Sequence, residues 1–496
     1  MELVSRSTST SRYAAAAVSG VLFAMVVAQA LGLEARFAVT FVAGVLLLSV
    51  GMTVFGKIRD LLLYVLAFNL SFTTIEKTFL VSPESTYVVS GIPIGLADIC
   101  LFALYALWLN KILVEKSEPL PRPSRLDWWV LAFWAVHVTS TLDATSRTLA
   151  IMEIVRLGKY ALMYFYLSHN LKRRHLKWIA LALFFAILVQ SSLAMVQYRT
   201  GSLLGIGRTK GASGLDYEQY TVTNFEEVLR AEGTTFDSHA LGLYMAMILP
   251  IALAVALTLG VQKWFRIAGW AVFVLGVPGL VASFTRAGWL AFVGAALTLL
   301  FCLFRYQYRT SLGRILPAIA VALVLASIAL VPLASKIRQR LFEAPPDLLT
   351  ARFETMEMAW DMWKERFWTG AGTNNYMVTL EHDFSIFEGD PYYIPVHNMF
   401  LLVATELGVI GLVVFLCAGT VAVVHFWKVL RSTDPLIQSL AAAVLAALVA
   451  IFIEGLFDPI YLTTVTYFTL WFLLGLGAGL SNIAGKAVSG AIRPAH

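Results

Sequence analysis

KWFRIAGWAVFVLGVPGLVASFTRAGWLAFVGAALTLLFCLFRYQYR, running from Lys263 to Arg309, holds two apolar stretches joined by a single arginine. Residues 267–285 and 287–304 carry no charge, and each is long enough as a helix to cross a bilayer core of roughly 30 Å. Lys263 and Arg266 precede the first stretch, and Arg305 and Arg309 close the second. If both stretches span, all four basic residues share one side and Arg286 stands on the other. A membrane hairpin with a polar group at its far turn is the unit from which the rest of the chain is read.

The pattern continues outward in both directions. Of 496 residues, 59% are hydrophobic and 14% charged, against roughly 25% charged in an ordinary soluble domain, so lipid solvates most of the chain. Stretches of about 17 to 25 apolar residues give about fourteen candidate spans. They centre on 13–31, 37–56, 60–75, 92–114, 127–142, 148–168, 176–198, 239–259, 266–284, 286–304, 315–334, 397–425, 435–457 and 463–481. Arg6 and Arg12 before an apolar core resemble a signal peptide, but the spans that follow favour a first anchor. The expected fold is all-α, a polytopic transmembrane helix bundle with a large, partly helical periplasmic loop near its C-terminal third.

Loop charge orients the bundle. Lys57 and Arg59, Lys111 to Arg125, Lys172-Arg173-Arg174, Lys263 and Arg266, Arg305 to Arg314, and Lys428 and Arg431 fall in alternate loops, and the positive-inside rule places them in the cytoplasm with both termini. The net charge of +6 therefore reads as topology and gives no reason to expect nucleic acid. The chain divides into N-terminal spans (1–198), an outer loop (199–238), spans around Arg286 (239–334), a large outer loop (335–396), and C-terminal spans with a cytoplasmic tail (397–496). If the cell is Gram-negative the outer side is the periplasm, and the expected location is the bacterial cytoplasmic (inner) membrane.

The large loop has helical character. Met356, Trp360, Trp363 and Phe367 recur at helical spacing between Arg352 and Trp368, with charges between them. Such a helix either lies on the membrane surface or packs on the loop's own core. Gly370-Ala371-Gly372 lacks the lysine and setting of a phosphate loop and reads as the turn that ends it.

Charge at membrane depth is costly, so each instance is a candidate functional residue. Arg286, in Ser283-Phe284-Thr285-Arg286-Ala287-Gly288, either snorkels to outer headgroups or grips a phosphate, with small neighbours that let a ligand reach the backbone. Arg156 and Lys159 lie a turn apart in the sixth span, with Glu153 a turn earlier. A Glu153–Arg156 pair is the favoured reading, leaving net positive charge that would attract an anion. His397 stands where the chain re-enters the membrane, either as a hydrogen-bonded anchor or as a base able to take a proton from a hydroxyl. Asp237 and His239 are read as a helix cap, and Glu454 and Asp458 as structural charge. Cys100, Cys302 and Cys417 lie in apolar runs without metal-ligand spacing, so neither a disulfide framework nor a metal site is expected.

Three features occur in a telling order: a Thr-Arg-Ala-Gly junction, a loop helix beginning on arginine and ending in Gly-x-Gly, and His-Asn at a span with Glu-Leu-Gly. The second half of the chain, through Gly233 to Pro250, Ser283 to Gly288, Arg352 to Gly372 and His397 to Gly411, resembles the bacterial O-antigen ligase and O-antigen/exopolysaccharide polymerase superfamily of membrane glycosyltransferases. The resemblance implies transfer of a whole glycan from undecaprenyl diphosphate to an acceptor hydroxyl on the periplasmic face, with inversion and without metal or cofactor. It assigns Arg286 and Arg352 to the donor diphosphate and His397 to the acceptor proton, with Arg230, Arg156 and Lys159 as supporting candidates. Implied partners are the lipid-linked donor, a glycan or lipid acceptor, membrane lipids and polysaccharide assembly machinery. The span count tilts the expectation to a polymerase. A ligase joining polymer to lipid A-core and, from a different class, a lipid-linked oligosaccharide transporter or flippase stay open.

Overall fold

A computed structural model of the protein describes residues 58–72, 77–80, 82, 91–204, 220–222, 227–307, 331–342, 347–387, 393–459 and 463–491. The expected spans 13–31 and 37–56, and nearly all of 315–334, lie outside the described residues.

Among the described residues, fourteen α-helices follow one another: α1 (Ile58–Phe68), α2 (Leu96–Leu109), α3 (Arg125–Ser140), α4 (Arg147–Asn170), α5 (His175–Thr200), α6 (Ser238–Leu257), α7 (Lys263–Ala282), α8 (Arg286–Tyr306), α9 (Ala334–Phe342), α10 (Asp347–Glu365), α11 (Tyr376–Phe384), α12 (Met399–Val429), α13 (Pro435–Gly455) and α14 (Thr464–Ala491). Among the described residues, eight helical segments are long and apolar enough to cross a membrane, so the chain is a multi-pass membrane protein. They coincide with eight of the expected spans. Three others, at 60–75, 127–142 and 148–168, correspond to α1 and α3, which are short, and to α4, which carries Glu153, Arg156 and Lys159 in its middle. Two small antiparallel ribbons, Lys77–Phe79 with Ile92–Ile94 and Tyr220–Val222 with Glu227–Leu229, were not expected from hydropathy.

The centre of the bundle is α6, buried from Ala240 to Leu257 and packed against α7, α8 and α13. In contrast, α8 exposes Leu290, Val293, Leu297, Phe301 and Phe304, a stripe at helical spacing that suits lipid. Small residues bring helices together where polar groups gather: a Cβ on Gly288 of α8 would lie 3.2 Å from the Gly242 backbone of α6. The absent side chain serves that helix crossing, and does not open the backbone to a ligand as the sequence suggests.

The basic loops meet at one end of the bundle. Arg173 pairs with Asp434, Arg174 and His175 reach Asp60 at 3.1 and 3.2 Å, and Lys177 donates to Gln262 at 2.9 Å. The turns beginning α6, α8 and α12 and ending α13 gather at the other end.

A second layer covers that other end. Ala359 and Met362 of α10, Tyr376, Met377 and Leu380 of α11, Tyr393 and Val396 form a small core with Leu149 of α4 and Leu402 of α12. Thus α10 packs on the loop's own core. Its other side leaves Phe353, Trp360, Phe367 and Trp368 exposed, with rings in sequence along Trp360, Trp363, Phe367 and Trp368.

The layer is fastened through a break in α12. Gly408 adopts φ +67°, which separates Met399–Leu407 from the span proper. Backbone groups freed there find partners in the loop: Ala371 and Gly372 donate to the Thr405 and Glu406 carbonyls at 2.8 and 2.9 Å, and Val409 donates to the Phe367 carbonyl at 2.8 Å. A Cβ on Gly408 would meet the Trp368 carbonyl oxygen at 2.1 Å, so the approach requires glycine twice over, by φ and by space. Gly419, in the same helix, has open space around it. Gly408→Ala is therefore expected to lower stability by roughly 2 kcal/mol or more, whereas Gly419→Ala stays within about 1 kcal/mol of the parent. Thermal unfolding of the two variants in detergent measures the difference, and equal melting temperatures would refute the assignment of Gly408 as the joint.

Candidate functional site

The site end is assembled on four chain segments. The first is the strap from Leu229 to Phe236, pressed into the bundle by two glutamines of α5. Gln197 Oε1 accepts from the Glu232 and Gly233 amides at 3.1 and 2.8 Å, and Gln190 Oε1 accepts from Thr234 at 3.0 Å. The strap delivers Arg230, 8% exposed, whose Nε donates to the Ser283 carbonyl at 3.3 Å and Nη2 to Thr285 Oγ1 at 3.0 Å. Burial lowers its affinity for a proton, while Asp237, Asp458 and Glu232 act in the opposite sense.

The second segment is the turn 283–286. Thr285 Oγ1 donates to the Ser238 carbonyl at 3.1 Å, so the hydroxyl at the N-cap of α8 is turned away from its own helix, which has no side-chain cap. Arg286 is the first residue of α8. A cation there opposes the helix dipole, a placement that becomes favourable once an anion lies between the guanidinium and the helix N–H groups. Arg352 of α10 lies near enough for its charge to act on Arg230.

The third and fourth segments supply imidazoles and carboxylates. Asp237 caps α6 as expected, accepting from the His239 amide at 2.6 Å. His239 Nδ1 lies 2.9 Å from Asp458 Oδ2, without the alignment of a hydrogen bond, and His397 Nδ1 lies 3.2 Å from Asp458 Oδ1. Asn398 caps α12 through the Leu401 amide and donates to the Leu456 carbonyl at 3.3 Å, which holds His397 against the 454–458 turn. Glu454 is 1% exposed, and neither carboxylate oxygen has a hydrogen-bond partner among the described residues. His239, Glu454 and Asp458 each place a ligand atom within 4.8 Å of the others. The sequence gives no hint of this cluster, because it joins α6 to the end of α13 across more than two hundred residues. Glu454 and Asp458, read as structural charge, fold beside His239, and Asp458 also holds a candidate base.

Arg156 and Lys159 stand elsewhere. Arg156 is fully buried and paired with Glu153 at 2.7 Å, with the Tyr467 ring beneath it. Lys159 pairs with Asp98 of α2 at 3.0 Å and with the Pro93 carbonyl. The net positive charge expected in this span is thus cancelled by Asp98. Both residues tie α4 to its neighbours, Arg156 through Tyr467 of α14 and Lys159 through Asp98 of α2. The three cysteines are free.

Burial alone would raise the Asp458 carboxyl, but the charges and contacts of His239 and His397 outweigh it and hold it well below the ordinary range. A depressed folded-state value contributes stability that is complete above the unfolded value of about 3.9 and is lost as pH falls below it. Asp458→Asn is accordingly expected to melt below the parent at about pH 5, with the gap closing toward about pH 2. Melting curves across that range check it, and a gap independent of pH would refute the ion-pair account.

Residues 270–416 match the family model described as O-antigen ligase, Wzy_C, a stretch from α7 to the first half of α12 that includes Arg286, Arg352 and His397. No curated protein matches the chain significantly. With the order of motifs and the multi-pass fold already established, the chain carries an O-antigen ligase (Wzy_C) family domain over residues 270–416.

Proposed function

We propose that the protein is a membrane glycosyltransferase that moves a glycan en bloc from undecaprenyl diphosphate to an acceptor hydroxyl at the periplasmic face of the bacterial inner membrane, in a bundle of about fourteen spans. The family match carries the lipid-linked glycan as substrate class. The observation that carries the chemistry is the run of contacts from Thr285, beside Arg286, to the Ser238 carbonyl and on through the neighbouring His239 to Asp458, whose other oxygen meets His397. It links an anion-seeking helix end to an imidazole held by a carboxylate.

In the proposed step the acceptor oxygen attacks the anomeric carbon as the bond to the diphosphate breaks. The acceptor proton goes to His397, and the diphosphate leaves with the bonding electrons. With Nδ1–H directed at Asp458, Nε2 is the nitrogen left to accept that proton. The developing negative charge meets the N–H groups of α8, Arg286 and Arg352, with Arg230 supporting the turn. Guanidinium groups serve the leaving group without a metal, and a single displacement inverts the anomeric centre. We assign polymerisation, in which the acceptor is another lipid-linked repeat. Ligation to lipid A-core is the same chemistry on a different acceptor.

Purified protein given undecaprenyl-diphosphate-linked oligosaccharide is expected to lengthen or transfer it without added metal. His397→Ala should lower kcat by about a hundredfold or more, and full activity in that variant would remove histidine from the mechanism. Arg286→Ala and Arg352→Ala should weaken donor use by at least about tenfold each. Glycolipid flux in liposomes with unchanged chain length would decide for transport instead. In a deletion strain, single repeats on the core indicate a lost polymerase, and long lipid-linked chains a lost ligase.

A further inference from the structure

We infer that His239, Glu454 and Asp458 form a binding site for a divalent transition-metal ion of the Zn2+ or Mn2+ class, set beneath His397 at the site end of the bundle. The proposal stands on the geometry of these side chains and does not rest on the glycosyltransferase reading.

Glu454 is the starting point. A carboxylate 1% exposed, with no partner for either oxygen among the described residues, is costly to keep without a compensating charge. Its neighbour is a second carboxylate, Asp458, and a cation beside the two would offset the charge on Glu454. Arg230 is near, but its guanidinium is committed to Ser283 and Thr285. The arrangement of His239 points the same way. Its Nδ1 comes within 2.9 Å of Asp458 Oδ2 without hydrogen-bond alignment, as two ligand atoms do when both are aimed at a third point.

The spacing fits. Atoms bound to one Zn2+ at about 2.0 to 2.2 Å stand roughly 3 to 3.5 Å apart in a tetrahedral set. The three side chains place their ligand atoms within 4.8 Å of one another, a separation that small rotations close. One imidazole and two carboxylates form a mixed nitrogen and oxygen set, which favours Zn2+, Mn2+ or Fe2+ over Mg2+ and Ca2+. A fourth position remains for water or a substrate oxygen. The two oxygens of Asp458 then divide their work: Oδ2 is a ligand, and Oδ1 stays on His397 Nδ1. The ion would thereby clamp the start of α6 to the end of α13.

Untagged protein, stripped with chelator in detergent and titrated with Zn2+ or Mn2+ alone, tests this. Wild type should bind about one equivalent and melt at higher temperature with the ion, and Mg2+ should not compete at similar concentration. Glu454→Gln and His239→Asn should each weaken binding by at least about tenfold, whereas His382→Gln, an exposed histidine on α11, should bind as wild type does. Absence of saturable binding by wild type, or binding unchanged in either site variant, overturns the proposal. If Glu454 is instead a neutral acid, Glu454→Gln keeps the parent melting temperature and no ion binds, which also overturns it. Glycan transfer plays no part in the readout, so failure here leaves the proposed reaction standing, and loss of that reaction leaves this site standing.

Discussion

A helix broken inside a membrane protein must find new partners for the backbone groups it frees, and the break at Gly408 finds them in the loop above it. The carbonyls of Thr405 and Glu406 take the amides of Ala371 and Gly372, and the Val409 amide takes the Phe367 carbonyl. Because the contact is backbone to backbone, it fixes the height and rotation of the whole layer that carries α10 and α11. It also detaches Met399–Leu407 from the span below, so that His397 and Asn398 are presented by a short helix set against the 454–458 turn. Further threads hold the same joint: Asn375 donates to the Ser146 carbonyl at 3.1 Å, and Thr373 meets His137 at 2.8 Å.

Buried charge falls into two kinds. In α4, each charge has its opposite nearby: Arg156 with Glu153, and Lys159 with Asp98. Pairs of this sort hold helices in register and leave little field for a ligand. At the site end the groups are of mixed sign but incompletely matched. Arg286 stands at a helix start where its charge is unfavourable without an anion, and Glu454 is buried without a hydrogen-bond partner among the described residues. Incomplete matching of this kind is what a binding surface retains when its ligands are not protein.

The family match covers 270–416, yet the groups bonded to its key positions lie outside it. Arg230 supports the turn before Arg286, and Asp458 faces both His239 and His397. These contacts come from segments whose sequence is ordinary: an outer strap, a helix cap, the end of an apolar span. Their importance depends on where α5, α6 and α13 bring them.

Much of the architecture was legible because hydropathy is local. A span announces itself by an uninterrupted apolar run, and eight such runs are helices of spanning length here. The alternation of basic loops also sets Arg286 and His397 at the end opposite Lys172, Lys263 and Lys428, and contacts between neighbouring basic loops, Arg173 with Asp434 and Lys177 with Gln262, gather at one end of the helices. What the chain could not declare along its length was pairing. Asp98 lies some sixty residues from Lys159, and Asp458 more than two hundred from His239, so a reading by spacing left Lys159 unmatched and called Asp458 structural. Gly288 looked open to a ligand until α6 filled the space. By itself the sequence determined that lipid solvates much of the chain and which eight of its apolar runs form helices of spanning length among the described residues, since each follows from local burial and charge. Only the tertiary structure decided which charges cancel and which remain exposed to a ligand, since that depends on distances between helices far apart in the chain.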